Sequence, residues 1–427
     1  MAKMKRVVIT GMSINTPLGD TLDGFLQSLL QGISAIGHWE APGLGAGVAG
    51  SLAGYDTLSK VSELQDRIPA DVAKRLLKLV KYSAWSTKFS ILLALGAFLD
   101  ADLFSQPIDS ERISAVVTGH NINQMYMHHN WEAFTRDPED LDIDAAAAVK
   151  KWDSDHAGCV AEVIGIHGPV YLVGGACASG NIGLRCALDE IRHHDIDLAL
   201  VVGPVFDFTS FTLHSLIAMG AISFARYGDE PSRASRPFDA GREGFVVAHG
   251  GGGLVLEELE HALRRGARIY AEILGVEVSS AASRTPAPFE EHEARVMERL
   301  LHKSGIDRRK IDFVSAHATS TVLGDLAEIR AIRRVFGEHA GKLKINAPKS
   351  MLGHTIWSSA VVETVASVLQ MCAGWLHPSI NIDRLAPEID LDVCANHAVQ
   401  YPVRFMLNNS FGFAGINSAS LIARYEG

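Results

Sequence analysis

Paired cysteines, long apolar runs and an excess of positive charge are all missing from this sequence. Its five cysteines among 427 residues form no CxxC motif, and their odd number argues against a disulfide framework or a zinc ribbon. The longest apolar stretches, such as residues 91–99, fall short of the roughly 20 residues of a membrane span. The formal net charge of −10 argues against nonspecific binding of nucleic acid. We therefore expect a cytoplasmic protein with no nucleic-acid partner and no membrane segment.

Motifs for common cofactors and metals are absent or out of context. Residues 45–50 match GxGxxG, but no strand is predicted before them, which argues against a dinucleotide site. Residues 249–253 look like an esterase oxyanion loop, yet the chain contains no GxSxG elbow. The adjacent histidines at 128–129 and 193–194 lack the spacing of metal ligands. We expect neither a cofactor nor a metal ion.

Short apolar runs alternate with helical patterns along the whole sequence, which predicts α/β layers. Strands are predicted over residues 6–10, 113–118, 198–202, 253–257, 269–276, 313–316, 344–346 and 418–423. Helices are predicted over residues 72–99, 180–193, 288–304, 324–336 and 358–373. The best candidate for a boundary between two parts of the chain lies near residues 258–268. We therefore expect two closely packed halves, 1–258 and 259–427.

One cysteine stands in a setting that favours chemistry over packing. Residues 174–183 read GGACASGNIG and lead from a strand into a helix, with Cys177 at the elbow. Small residues allow a substrate to approach closely, and the partial positive charge of a helix N-terminus stabilises a thiolate. The other four cysteines are expected to be small core residues.

Three further motifs carry polar groups at the ends of predicted strands or at turns. Residues 315–325 (SAHATSTVLGD) place His317 after a strand, and residues 349–354 (KSMLGH) place Lys349 and His354 before a long helix. Residues 408–417 (NNSFGFAGIN) form a turn that could aim backbone N–H groups at an oxyanion. A thiol with two neutral imidazoles could supply a nucleophile and polarising hydrogen-bond donors.

Taken together, these motifs resemble the β-ketoacyl-carrier-protein synthases of the condensing-enzyme, or thiolase-like, superfamily. Residues 234–247 (ASRPFDAGREGFVV) are also similar to that family, and the resemblance covers nearly the whole chain. It implies a five-layered α-β-α-β-α fold of two similar halves, residues 1–258 and 259–427. It also implies that the protein forms a homodimer.

The resemblance also implies roles for individual residues. Cys177 would take an acyl group from a phosphopantetheine thioester, while His317 and His354 would promote decarboxylation of malonyl and stabilise the enolate. Lys349 would support this site with Glu328 as its ionic partner. The backbone N–H groups of Cys177 and Phe413 would form the oxyanion hole. The Phe413 ring would also gate the acyl pocket, and the hydroxyls of Thr319 and Thr321 would bind the pantetheine arm.

An acidic carrier protein would need a basic surface on this acidic chain. Lys74, Arg75, Lys78 and Lys81 fall on one predicted helix, and 74, 78 and 81 share a face. An ordinary solvated helix face is the alternative interpretation. We therefore treat these four residues as a candidate docking site for an acyl carrier protein.

Several positions depart from the family pattern, which favours a specialised enzyme. Trp357 stands where the family has glycine, so it could shorten the acyl pocket or alter a dimer interface. Residues 248–249, Ala-His, replace a familiar Gly-Glu. The favoured activity is decarboxylative Claisen condensation with malonyl-carrier protein in polyketide, related secondary or fatty-acid biosynthesis. The alternatives are a malonyl-carrier-protein decarboxylase, against which the intact Cys177 counts, and a noncatalytic partner subunit.

Overall fold

Strands from both ends of the chain join in one large sheet. The computed structural model describes residues 4–106, 108–137, 143–223 and 226–427. Its strands are β1 Val7–Asn15, β2 Ile36–Ala41, β3 Gly45–Gly50, β4 Ile113–Thr118, β5 Val170–Val173, β6 Leu198–Gly203, β7 Gly251–Glu258, β8 Ala271–Ser280, β9 Phe313–Ser315, β10 Lys344–Asn346, β11 Trp375–Leu376, β12 Val399–Gln400, β13 Phe405–Gly412 and β14 Ile416–Arg424.

The ten strands of the large sheet reveal an internal repeat. Their order is β10-β9-β13-β14-β8-β1-β7-β6-β4-β5. In the first half, β5, β4 and β6 run parallel and β7 and β1 continue antiparallel. In the second half, β10, β9 and β13 run parallel and β14 and β8 continue antiparallel. The halves meet where Val7 of β1 pairs with Ile273 of β8.

Helices cover both faces of each half of the sheet. They are α1 Leu22–Leu30, α2 Thr57–Leu64, α3 Ala70–Tyr82, α4 Trp85–Asp100, α5 Gln124–Arg136, α6 Ala147–Lys150, α7 Ser154–Ile164, α8 Ser179–His193, α9 Ser210–Ala218, α10 Leu259–Arg264, α11 Glu290–Ser304, α12 Val322–Phe336, α13 Lys349–Leu352 and α14 Ser359–Ala373.

The central layer consists of α8 and α14, which pack against each other and against strands of both halves. α4 and α7 cover the outer face of the first half, and α11 packs with α12 over the outer face of the second. The order α-β-α-β-α confirms the five-layered fold. The segment Ile356–Ala373 is long and apolar enough to cross a membrane, but 83 % of it is buried in the fold, as in a core helix.

Most predicted elements are present, and two local predictions were wrong. The helix predicted over residues 72–99 is two helices, because Ser83 and Ala84 adopt extended backbone angles between α3 and α4. The GxGxxG segment is strand β3 of a hairpin, preceded by strand β2, which the sequence did not predict. A Cβ on Gly50 would lie 2.6 Å from the Leu352 carbonyl oxygen, so this glycine permits close packing against α13. The boundary at residue 258 coincides with the end of β7, and the division there stays a prediction.

Candidate active site

Cys177 sits on a tight turn between strand β5 and helix α8. Ala176 has a positive φ of 49°, and a 3-10 turn over Ala176–Ala178 leads into the helix. The Ser179 hydroxyl fixes the turn, since it accepts from the Gly175 N–H at 2.9 Å and donates to the Ala176 carbonyl at 2.6 Å. From the other half, Ser410 donates to the Cys177 carbonyl at 2.7 Å. Both halves therefore hold the thiol in place.

Two imidazoles from the second half meet the thiol. The Nε2 atom of His354 lies 3.1 Å from the Cys177 Sγ, and the rings of His317 and His354 are 5.5 Å apart between centroids. The Ile356 backbone N–H donates to the Nδ1 atom of His354 at 3.3 Å. Because that nitrogen is an acceptor, Nε2 carries the proton of the neutral ring and points it towards the sulfur.

Lys349 bridges a histidine and a carboxylate below the site. Its Nζ atom lies 3.4 Å from the His317 Nδ1, which leaves the proton of that neutral ring on Nε2. Its ionic partner is Glu363 of α14, with both side chains at most 3 % exposed. The prediction that Glu328 is this partner was wrong. The two oxygens of Glu328 accept the backbone N–H groups of His317 and Ala318 at 2.9 and 2.8 Å, so its direct role is to fix the histidine loop.

Burial sets the protonation states of the catalytic groups. It raises the pKa of the Cys177 thiol to about 11, an effect that the charge of Lys349 opposes. Burial, followed by the charge of Lys349, holds the pKa of His317 and that of His354 well below the usual value. Both imidazoles are thus neutral hydrogen-bond donors at neutral pH. Burial also raises the pKa of Glu363, and Lys349 counteracts this.

Two backbone N–H groups point at the sulfur. Those of Cys177 and Phe413 both lower the pKa of the thiol by hydrogen bonding to it. Phe413 follows β13 in a turn whose next residue, Ala414, has a positive φ of 62°. A Cβ on Gly412 would lie 2.9 Å from the Gly175 oxygen and 3.2 Å from the Cys177 nitrogen, so only glycine allows this approach. Two N–H donors on one sulfur are the groups from which an oxyanion hole can be built.

A cavity of about 450 Å³ leads to the catalytic residues. Its lining includes Cys177, His317, His354, Glu328, Thr319, Thr321 and Phe413. The hydroxyls of Thr319 and Thr321 lie 3.1 Å apart on its wall, and that of Thr321 also caps α12 by accepting from the Gly324 N–H. The cavity therefore brings together both predicted threonines and every residue predicted for catalysis except Lys349. That lysine lies behind His317.

Trp357 lies outside the lining of this cavity. Its indole stacks on His120 at 4.4 Å and meets the edge of Phe206 at 5.5 Å, between centroids. The 3-10 turn that carries it, Ile356–Ser358, packs directly on the cysteine turn. The substrate-binding role of Trp357 stays a prediction. His249 also lies elsewhere: its Nδ1 atom accepts from the Leu52 N–H, and burial lowers its pKa to about 4.

The four residues predicted for docking all lie on α3. Lys74, Lys78 and Lys81 are exposed, whereas Arg75 is half-buried and pairs with Asp71 at 2.9 Å. The helix and the shared exposed face agree with the sequence pattern. Its role in docking stays a prediction.

Sequence reasoning missed Glu363 and Ser359, both on α14. Ser359 Oγ lies 2.8 Å from the Nδ1 atom of His354 and supports the tautomer described above. Glu363 is the only charged residue in the 15-residue helix Ser359–Ala373, and a lone carboxylate in a buried helix signals a buried partner. The Cys177 sulfur and nitrogens of His317 and His354 lie within 4.8 Å of one another, a cluster that could hold a soft metal ion. The expected absence of metals and cofactors stays a prediction.

Two family models match this chain. The beta-ketoacyl synthase N-terminal domain matches residues 4–262, and the beta-ketoacyl synthase C-terminal domain matches residues 270–383. The chain belongs to the beta-ketoacyl synthase family. This membership confirms the sequence resemblance and makes the chain an acyltransferase of the condensing type.

Known relatives and solved structures agree over nearly the full length. The chain is 32 % identical over 432 residues to the polyketide biosynthesis malonyl-ACP decarboxylase PksF of Bacillus subtilis, covering 99 % of this chain and 97 % of PksF. It is also 32 % identical over 435 residues to the chloroplastic 3-oxoacyl-[acyl-carrier-protein] synthase I of Arabidopsis thaliana, covering 99 % of this chain and 87 % of that protein.

Among solved structures, the chain is similar to one from the AntDE:AntF complex, a type II polyketide synthase acyl-carrier protein with its ketosynthase bound to the hexaketide. That match has a TM-score of 0.86 and 28 % identity, covering 99 % of this chain and 100 % of that chain. A beta-ketoacyl synthase from Burkholderia phymatum matches with a TM-score of 0.85 and 27 % identity, at the same coverage of both chains.

Proposed function

We propose that the protein catalyses decarboxylative Claisen condensation between an acyl group on Cys177 and a malonyl group on a carrier protein. The observation that carries the proposal is the meeting of the Cys177 sulfur with the His354 imidazole at 3.1 Å, beside the N–H groups of Cys177 and Phe413. A nucleophile, an oxyanion hole and neutral imidazole donors together are the groups that acyl transfer and enolate formation require.

Acylation comes first. The Cys177 sulfur attacks the thioester carbonyl of the incoming acyl group, and the N–H groups of Cys177 and Phe413 receive the developing oxyanion. The bond to the pantetheine sulfur then breaks, and that sulfur leaves with the proton of the cysteine thiol. Because burial keeps the resting thiol protonated, proton loss accompanies attack.

Decarboxylation then creates the carbon nucleophile. The bond between the malonyl α-carbon and its carboxylate breaks, carbon dioxide leaves, and the thioester becomes an enolate. The Nε2–H groups of His317 and His354 donate to the enolate oxygen. The α-carbon attacks the acyl-cysteine carbonyl, a carbon–carbon bond forms, and the Cys177 sulfur leaves as a thiolate, which takes up one proton from solvent. Removing one donor to such an oxyanion typically costs about 10²–10³ in rate.

The experiment that tests this function is intact-protein mass spectrometry with an acyl-carrier protein. We expect the wild-type chain to gain the mass of the acyl group, and the Cys177→Ala variant to gain none. The Cys186→Ala variant is the matched control, since that half-buried thiol lies further along α8 and away from the cavity. Acylation of the Cys177→Ala variant would contradict the assignment.

The partner that supplies both substrates is an acyl carrier protein. Carrier proteins are acidic, and the exposed lysines of α3 offer the opposite charge. The double change Lys74→Glu and Arg75→Glu should weaken carrier-protein binding, whereas acylation by a free pantetheine thioester should not change. Equal binding by the variant and the wild type would remove α3 from the docking site.

A malonyl-carrier-protein decarboxylase is the second candidate function. Trp357 favours it, because the 3-10 turn that carries this residue packs on the cysteine turn, so its bulk can restrict the acyl groups held there even though its indole lies outside the lining of the cavity. PksF, whose name states this activity, supports the same interpretation. Release of acetyl-carrier protein without chain extension would identify a decarboxylase. A noncatalytic partner subunit fits least well with the assembled cysteine and histidines.

Three further parts of the proposal concern the setting of the enzyme. Strand β5 is an edge of the large sheet, and its residues Val170–Val173 are half-exposed and uncharged. Such an edge suits pairing with a second copy, so we expect a homodimer of twice 46.0 kDa in light scattering. The chemistry proposed above requires no redox cofactor, and we expect the protein to act in the cytoplasm.

A further inference from the structure

A carboxyl group with one oxygen that has no hydrogen-bond partner in the described part of the chain lies in the wall of the catalytic cavity. Glu293, on α11, is 1 % exposed and lines the same cavity as Cys177, His317 and His354. Among the described residues its Oε2 atom has no hydrogen-bond partner. Neither the sequence motifs nor the mechanism above uses this residue.

The surroundings of Glu293 contain like charges. Glu328 of α12 and Glu290 of its own helix both raise its pKa, after burial, which is the largest cause. One turn along α11, Met297 accepts a hydrogen bond from Asn409, and that amide also donates to Glu328. The Nδ2 atom of Asn409 is thus engaged by these two neighbours, whereas its Oδ1 atom has no hydrogen-bond partner among the residues that the structure describes. Burial and the two nearby carboxylates favour the protonated form of the Glu293 carboxyl, which can donate a hydrogen bond.

The neighbouring Glu328, unlike Glu293, has hydrogen-bond partners for both of its carboxylate oxygens. It lines the same cavity, but its oxygens accept from the N–H groups of His317 and Ala318 and from Asn409. A buried polar group that is left unpaired costs free energy, and a ligand that forms a hydrogen bond with it recovers that cost. Glu293 lines this cavity, so a ligand bound there could reach it.

We propose that the Glu293 carboxyl binds an oxygen atom of the acyl group carried by Cys177, and so selects acyl groups with a carbonyl oxygen over saturated chains of equal length. This inference rests on the proposed acylation of Cys177. The acyl group, rather than the pantetheine arm, is the expected ligand because Glu293 lies beside the network that holds His317. The pantetheine arm is expected instead at the cavity mouth, at the hydroxyls of Thr319 and Thr321. Their neighbours there, Val322 and Leu323, are 51 % and 65 % exposed.

The experiment compares acylation of Cys177 by 3-oxobutyryl- and butyryl-pantetheine thioesters, measured by intact-protein mass spectrometry. We expect Glu293→Met to lower the ratio of the 3-oxobutyryl rate to the butyryl rate by about tenfold or more, as for one lost buried hydrogen bond. Glu293→Gln keeps a neutral donor and should keep the ratio within about threefold. Glu298→Gln, on the exposed side of the same helix, is the matched control and should not change it.

A ratio in Glu293→Met that equals the wild-type ratio would overturn the inference. Equal slowing of both substrates would also overturn it, since that result places the bond on the shared pantetheine arm. If Glu293→Met does not fold, Glu293→Ala provides the same comparison. Absence of transfer of both acyl groups to wild-type Cys177 would instead contradict the proposed function, so the two failures are distinguishable.

Discussion

The ion pair between Lys349 and Glu363 should be strongly coupled, and a double-mutant cycle measures this directly. Both side chains are at most 3 % exposed, so water cannot compensate for the loss of either one. Removing one partner of such a pair typically costs about 3–5 kcal/mol, because the remaining charge is buried without compensation. We expect costs of that size for Lys349→Met and for Glu363→Leu.

The double variant should be more stable than the sum of the two changes suggests. Replacing a whole buried pair by apolar residues of similar size is often neutral, so we expect a coupling free energy of at least about 2 kcal/mol. Urea denaturation of the wild type, the two single variants and the double variant, monitored by circular dichroism, provides the free energies of unfolding. The slope of the free energy against urea concentration should be similar in all four.

A parallel cycle with Glu328→Leu tests the correction to the sequence prediction. Glu328 accepts backbone N–H groups of the His317 loop, so its loss should be costly with or without Lys349. We expect a coupling below about 1 kcal/mol between Lys349 and Glu328, since burial has the largest effect on the pKa of Glu328, the charge of Lys349 has only a minor one, and the direct contact of Lys349 is with Glu363. A larger coupling with Glu328 than with Glu363 would refute the assignment of the pair.

Three further predictions address the cysteine turn and its neighbours. Because burial raises the pKa of Cys177 to about 11, its alkylation rate by iodoacetamide should keep rising with pH beyond pH 9; a plateau below pH 8 would contradict this. Gly412→Ala should lower stability by about 1–3 kcal/mol in urea denaturation and slow acylation, because its Cβ would crowd Gly175 and Cys177; unchanged stability and rate would contradict the close packing. Trp357→Ala should increase acylation by octanoyl relative to acetyl thioesters in competition assays, and an unchanged ratio would show that the indole does not limit the acyl group.

The catalytic residues could be predicted because each lies in a local motif with its own signal. Cys177 follows small residues at a strand-to-helix turn, and His317 follows a short apolar strand. Their meeting with His354 depends on how the two halves pack around one site, which the family resemblance implied and the alternation of strands and helices alone does not.

The partner of Lys349 could not be predicted in the same way. Glu328 on α12 and Glu363 on α14 are both buried carboxylates next to the site. Only the carboxylate of Glu363 contacts the ammonium group of Lys349 directly. The lone carboxylate of α14 signals that Glu363 has a buried partner, but which residue that partner is depends on how α12 and α14 pack on the sheet. The hairpin of β2 and β3 was missed for another reason, since the glycines of β3 have low strand propensity, and at Gly50 close packing against α13 requires one.

The central claim is that Cys177 and the two histidines act together to extend an acyl chain. The direct measurement is mass spectrometry of the carrier-protein products after the acylated enzyme is mixed with malonyl-carrier protein. We expect 3-oxoacyl-carrier protein with two more carbons than the acyl donor from the wild type, and none from Cys177→Ala. Acetyl-carrier protein as the sole product of the wild type, with no extended chain, would contradict the claim.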